Sequence, residues 1–189
     1  MPPYAGQPVG KVLRLYTQNR SAWDEHVQTL RVAVVGTLFD LPLTPVAVST
    51  YVATGTKVAN ALSGYVPQAF VTQLQSLMQG HVQGTLKIVE ATKKDDKPAL
   101  DAALKAGVEN GQQIAMLLSQ MTGTPFTQTN ELMQGHIKAA VDDLNQAKAA
   151  NWPGEDSAYK HMREHALMMA DQISNAVVSN LPKKYTLIV

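Results

Sequence analysis

The chain has no cysteine among its 189 residues, which excludes disulfide scaffolds, thiolate zinc sites, thiol nucleophiles and iron–sulfur clusters. Charge is scarce too. Only 16% of side chains are charged, and 16 basic residues stand against 15 acidic ones. A nucleic-acid binder carries a basic excess or stripe, and neither is present. Long hydrophobic runs are missing: the longest, residues 32–43, is interrupted by Gly36, Asp40 and Pro42 and is too short to span a bilayer. The first residues, with Pro2, Pro3 and Pro8, lack the basic start and apolar stretch of a signal peptide. No phosphate loop, dinucleotide fingerprint or nucleophile elbow occurs. The acids fall on polar faces, with no pair placed for acid–base work. These absences predict a soluble cytoplasmic protein that binds neither nucleic acid nor membrane and carries no nameable catalytic residue, so the reading leans away from an enzyme. A hydrophobic content of 45% is enough for one real core.

What is present is helical periodicity. Proline, glycine and capping residues predict six helices. Ser21 opens the first as a cap, and Asp40-Leu41-Pro42 stops it. Thr44-Pro45 starts the second, which ends near Ser63-Gly64. The third runs over about 67–94 and the fourth from Pro98 to Met121. The fifth covers about 127–150, and the Asn151-Trp152-Pro153-Gly154 turn leads to a sixth from about Asp156 to Asn180. Strand-like alternation is confined to the last few residues, so the fold class is all-α.

The chain also repeats. Leu77-Met78-Gln79-Gly80-His81-Val82 recurs as Leu132-Met133-Gln134-Gly135-His136-Ile137, an offset of 55 residues. Stepping back by the same offset lands on His26, and Asn110 falls opposite His165. The second helix of the first unit fits this register poorly. The sequence therefore predicts a six-helix bundle built from three helical hairpins of about 55 residues, forming one domain. Its parts are an N-terminal extension (1–20), hairpins at 21–66, 67–121 and 122–182, and a tail (183–189). The apolar tail residues 185–189 could dock on the bundle or add a strand to a partner.

His81 lies on the apolar face of Leu74, Met78 and Val82, and His136 on that of Met133, Ala140 and Leu144. His26 sits between Trp23 and Leu30, and His165 in line with Met162 and Met169. Four of the five histidines are thus expected to point inward, with His161 nearer the edge. Burying an imidazole costs free energy unless both nitrogens are satisfied. A repeated inward histidine is either a duplicated core residue or a ligand. Neutral imidazole suits zinc, copper, iron or nickel, and bundles build such sites from facing helices. Three or four imidazoles can share an ion only if the hairpins close around a common axis. The candidate ligands are His81, His136 and His165, then His26, with His161 as an additional one. A ferritin-like di-iron site needs two Glu-x-x-His pairs, and there are none. Met78, Met133, Met162, Met168 and Met169 lie near histidines and suit soft copper, but methionine on an apolar face is the ordinary core filler. Gly80 and Gly135 sit beside histidines in mid-helix, where they allow close backbone approach or leave room for a bound group. Asn19-Arg20-Ser21 is a formal glycosylation sequon.

His161-x-x-x-His165 resembles the histidine couple of DinB-like metal-binding bundles, which implies His81 or His136 as a third ligand. Trp23-x-x-His26, Leu77-x-x-x-His81, Leu132-x-x-x-His136 and Met169-Ala170-Asp171, with Leu181-Pro182, resemble a family of uncharacterised bacterial all-helical proteins. That resemblance implies the fold and the importance of these positions, and no reaction. The functional expectation is a non-catalytic binding protein whose histidine-lined interior holds a transition metal or small ligand. The alternative is a structural or assembly protein with hydrogen-bonded core histidines, self-associating through Val46, Val48, Tyr51 and Val52.

Overall fold

The computed structural model describes residues 9–180. Six helices run through them: α1 (Val9–Leu38), α2 (Thr44–Asn60), α3 (Gln68–Lys93), α4 (Lys97–Thr122), α5 (Phe126–Lys148) and α6 (Trp152–Asn180). No strand occurs among the described residues beyond one isolated bridge, Ser63 to Val66. The apolar tail lies outside them. The all-α expectation holds, and most boundaries fall where the breakers put them. Asp96 caps α4 by accepting a hydrogen bond from the Ala99 N–H at 3.1 Å, with Pro98 in the first turn. Gly123, at φ 75°, closes it, the left-handed end that glycine adopts without strain.

Two helix starts differ from the expectation. α1 begins at Val9, so Ser21 is an interior residue and not a cap. Asn19, two residues earlier, is fully buried and donates to the Ala170 carbonyl at 2.8 Å. A side chain so enclosed is no glycan acceptor. α6 begins at Trp152, because proline is tolerated in a first helical turn, where its missing N–H has no intrahelical partner to lose.

The ends of α1, α3 and α5 are built alike. Among the described residues, Asp40, Asp95 and Ala150 are the non-glycine residues at positive φ, at 51°, 54° and 53°, and they are spaced 55 residues apart. In each case the next residue's N–H reaches back five positions at 3.0 Å: Leu41 to Gly36, Asp96 to Ala91, and Asn151 to Gln146. Such a 6→1 bond satisfies a carbonyl that the helix end would otherwise orphan. Lys93 pairs with Asp40, and Lys148 pairs with Asp95 at 3.2 Å, again 55 residues apart.

Each helix packs on the next, and α6 packs back on α1. α1, α3 and α5 also touch one another, so the odd-numbered helices line the centre. Leu15, Trp23, Tyr51, Met78, Met133, Met162 and Met169 are among the fully buried side chains of one continuous core, each contributing about 1.5–3 kcal/mol by leaving water. The α1–α6 seam carries ion pairs as well: Arg20 with Asp171 at 2.5 Å, Arg163 with Asp24 at 2.6 Å, and Arg31 with Glu155 at 2.6 Å. None of the described helices is long and apolar enough to cross a membrane.

Candidate metal centre

Where α1, α3 and α5 meet, His26, His81 and His136 converge. Their ring centroids form a nearly equilateral triangle with sides of 5.9, 6.0 and 5.9 Å. One nitrogen from each ring lies within 4.8 Å of the other two. All three residues are buried, His26 completely. The periodicity of each helix sets this up: the histidine stands on the apolar stripe, and the stripe faces the centre. A tetrahedral ion with bonds of about 2.0–2.1 Å spaces its ligand nitrogens roughly 3.4 Å apart, so small side-chain rotations would close the set.

Hydrogen bonding fixes the state of one ring. The Thr54 hydroxyl donates to the Tyr51 carbonyl at 2.6 Å, so its oxygen can only accept from His26 Nδ1, 2.8 Å away. His26 is therefore the Nδ1–H tautomer, and its Nε2 carries a lone pair. That Nε2 is buried and has no partner among the described residues, and neither does His136 Nδ1. A buried polar atom left unpaired costs about 1–3 kcal/mol. Two of them in one cluster of imidazoles call for something to meet them.

The surroundings keep the rings neutral. Burial pushes His26 down to about 3, assisted by the neighbouring His81 ring. Burial lowers His81 to about 4, opposed by the Asn110 side chain. His136 is held well below its ordinary value by burial and then by the other three imidazoles around it. At neutral pH all three are thus unprotonated and able to coordinate. Trp23 meets His26 and His136 edge-on at 5.8 and 5.5 Å, and the Tyr51 ring lies 5.1 Å from His26. The Tyr51 hydroxyl approaches Thr85 without a closed hydrogen bond. Of the α2 residues expected to form a self-association face, Tyr51 is fully buried in the core, Val48 and Val52 are half-buried, and Val46 is exposed.

His165 stands beside the trio. Its ring stacks on His136 with centroids 6.5 Å apart, and its Nε2–H donates to the Leu132 carbonyl at 2.9 Å. Asn110 does the same 55 residues earlier, donating to Leu77 O at 3.1 Å. The glycines make room for both: a Cβ at Gly135 would lie 2.8 Å from His165 Cε1, and one at Gly80 would lie 3.3 Å from Asn110 Nδ2. The space over Gly80 and Gly135 is thus taken by the Asn110 and His165 side chains. His161 is exposed. Of the five predicted ligands, the structure thus gathers His26, His81 and His136, puts His165 next to them and leaves His161 at the surface.

The expectation that the acids lie on polar faces is corrected by Asp143 and Glu155, which are 1% and 2% exposed. Glu155 accepts from Nε and Nη2 of Arg31, each at 2.6 Å. Asp143 is raised to about 7, by burial first and then by Glu155. Asp143 lies seven residues after His136, on the same helical face, so the spacing that placed the histidine also places the acid. No family model, no curated protein and no solved structure matches this chain.

Proposed function

We propose that this protein is a non-catalytic binding protein in which His26, His81 and His136 hold one transition-metal ion, with His165 packed behind His136. The observation that carries the reading is three neutral, buried imidazoles with nitrogens within 4.8 Å of one another, two of which have a ring nitrogen with no other partner among the described residues. The Thr54–His26 bond supports it, because a ligating histidine characteristically donates its other N–H to an oxygen. Three nitrogens and an open fourth position suit zinc, and also copper, nickel or iron. We infer further that the chain is one domain of three hairpins in a 55-residue repeat. The matching helix ends at Asp40, Asp95 and Ala150 and the matching Asn110 and His165 bonds support that organisation.

The test is elemental mass spectrometry on protein purified without added metal or an affinity tag, beside a folded His81→Ala, His136→Ala variant. Near-stoichiometric metal in the parent and its loss in the variant are expected. Protein without metal, showing no thermal shift on titration with zinc, copper, nickel or iron, would leave the histidines as core residues.

A further inference from the structure

A pocket of about 260 Å³ opens between α3, α4 and α5 and ends on His81 and His136. Gln83, Lys87 and Ala106 stand at its exposed end, and Leu30 and Leu144 are buried at its inner end. Its floor is where the candidate metal centre lies. Two glycines create the space. A Cβ at Gly84 would meet nothing within 4 Å, and one at Gly107 would meet only Ile88 Cδ1 at 3.5 Å. Fifty-five residues on, those positions are Ala139 and Met162, both buried. The α3–α4 hairpin therefore stays open where the α5–α6 hairpin carries side chains.

We propose that this pocket binds a small, mainly apolar molecule with one hydroxyl group, a phenol or compact alcohol, with its oxygen turned toward the imidazoles. Size fits, since an apolar cavity of about 150 Å³ already accepts benzene. The inner end is polar: Asn110 lines it, and its side chain approaches the His81 ring without its Oδ1 closing a hydrogen bond. His136 also lines the pocket, and its Nδ1 has no partner among the described residues. A carboxylate head would find no buried cation there, because Lys87 is at the exposed end. An uncharged hydroxyl donates to Asn110 and presents its oxygen to the centre. The inference rests on the metal reading only for the contact of that oxygen with an ion; the walls and Asn110 act without it.

The experiment measures binding of 4-fluorophenol by fluorine NMR to metal-free and cobalt(II)-loaded protein, in the parent and in Gly84→Leu. Leucine at position 84 fills the pocket from a helical site where its Cβ meets no neighbour, so the fold and cobalt uptake are expected to be retained. Saturable binding by the parent, weakened about tenfold or more in Gly84→Leu and about tenfold weaker for fluorobenzene, which lacks the hydroxyl, supports the proposal. No saturable binding at millimolar concentrations, or equal binding by Gly84→Leu, overturns it. Equal binding of fluorobenzene overturns the hydroxyl assignment. Cobalt stoichiometry and the visible spectrum report the metal reading separately. If cobalt is not taken up, that reading fails while the metal-free titration still decides the pocket.

Discussion

At His26, one hydroxyl proton settles the chemistry. Thr54 gives its hydrogen to Tyr51 O, which leaves Nε2 as the bare nitrogen. Replacing Thr54 with valine keeps the shape and removes the orienting acceptor. Metal affinity should then fall about 10–100-fold, read by competition against a chromophoric chelator; unchanged affinity would show that Thr54 does not orient the ring. Gly135 and Gly80 are neighbours of equal rank in the sequence but not in their surroundings. Alanine at 135 must displace the His165 ring, whereas alanine at 80 meets Asn110 Nδ2 at 3.3 Å. Overpacking costs about 1–3 kcal/mol, against a helix-propensity gain of about 1 kcal/mol. Gly135→Ala should therefore destabilise, and Gly80→Ala should be close to neutral. Denaturant melts check this, and in a His165→Ala background the cost of Gly135→Ala should vanish. The inward histidines were legible from spacing alone. That His165 would be spent on a carbonyl was not, because hydrogen-bond partners across helices leave no periodic trace.

At the scale of elements, the α1–α6 seam joins parts of the chain far apart in sequence. Its ion pairs are not equivalent. Arg20 and Asp171 are about 40% exposed, at 44% and 38%, and such pairs contribute roughly 0–1 kcal/mol. The Glu155 side chain is buried and sits near Asp143, so removing Arg31 leaves a buried charge beside a second acid. Breaking a buried pair costs about 3–5 kcal/mol. Arg31→Met should thus lower the unfolding free energy far more than Arg20→Met, measured by urea unfolding at pH 7.5. Equal losses would mean that water reaches Glu155. Part of this was open to a sequence reading: Asp143 follows the histidine stripe. Glu155 was hidden because the turn residues around Pro153 masked the start of α6.

At the scale of the whole molecule, the histidines set an acid limit. Their folded pKa values are depressed to about 3 and 4 at His26 and His81, and downward at His136. Below about pH 6.5 the unfolded chain takes up these protons first, so stability falls as pH drops toward 4, by about 1.4 kcal/mol per pH unit for each group. Asp143 works in the opposite sense. Its folded value is raised to about 7, so its contribution is present below 3.8 and is lost as pH rises through 7. Three groups outweigh one, and the urea midpoint should be lower at pH 5 than at pH 7.5. A midpoint that holds or rises at pH 5 would mean that the rings are solvated. The all-α class, the number of helices and the repeated histidine were readable from spacing. Closure of α6 onto α1 was not, since the residues that make it are single polar side chains scattered along two long helices.

The three imidazoles come from positions 26, 81 and 136, one from each central helix. During synthesis, a chain with only its first two hairpins offers two of them, and two neutral imidazoles bind an ion weakly. If the site holds the proposed ion, tight loading would wait until α5 has emerged and taken its place. Acquisition of the proposed ion would then mark the arrival of α5, before α6 closes onto α1, and a product stalled ahead of α5 would leave the ribosome without it.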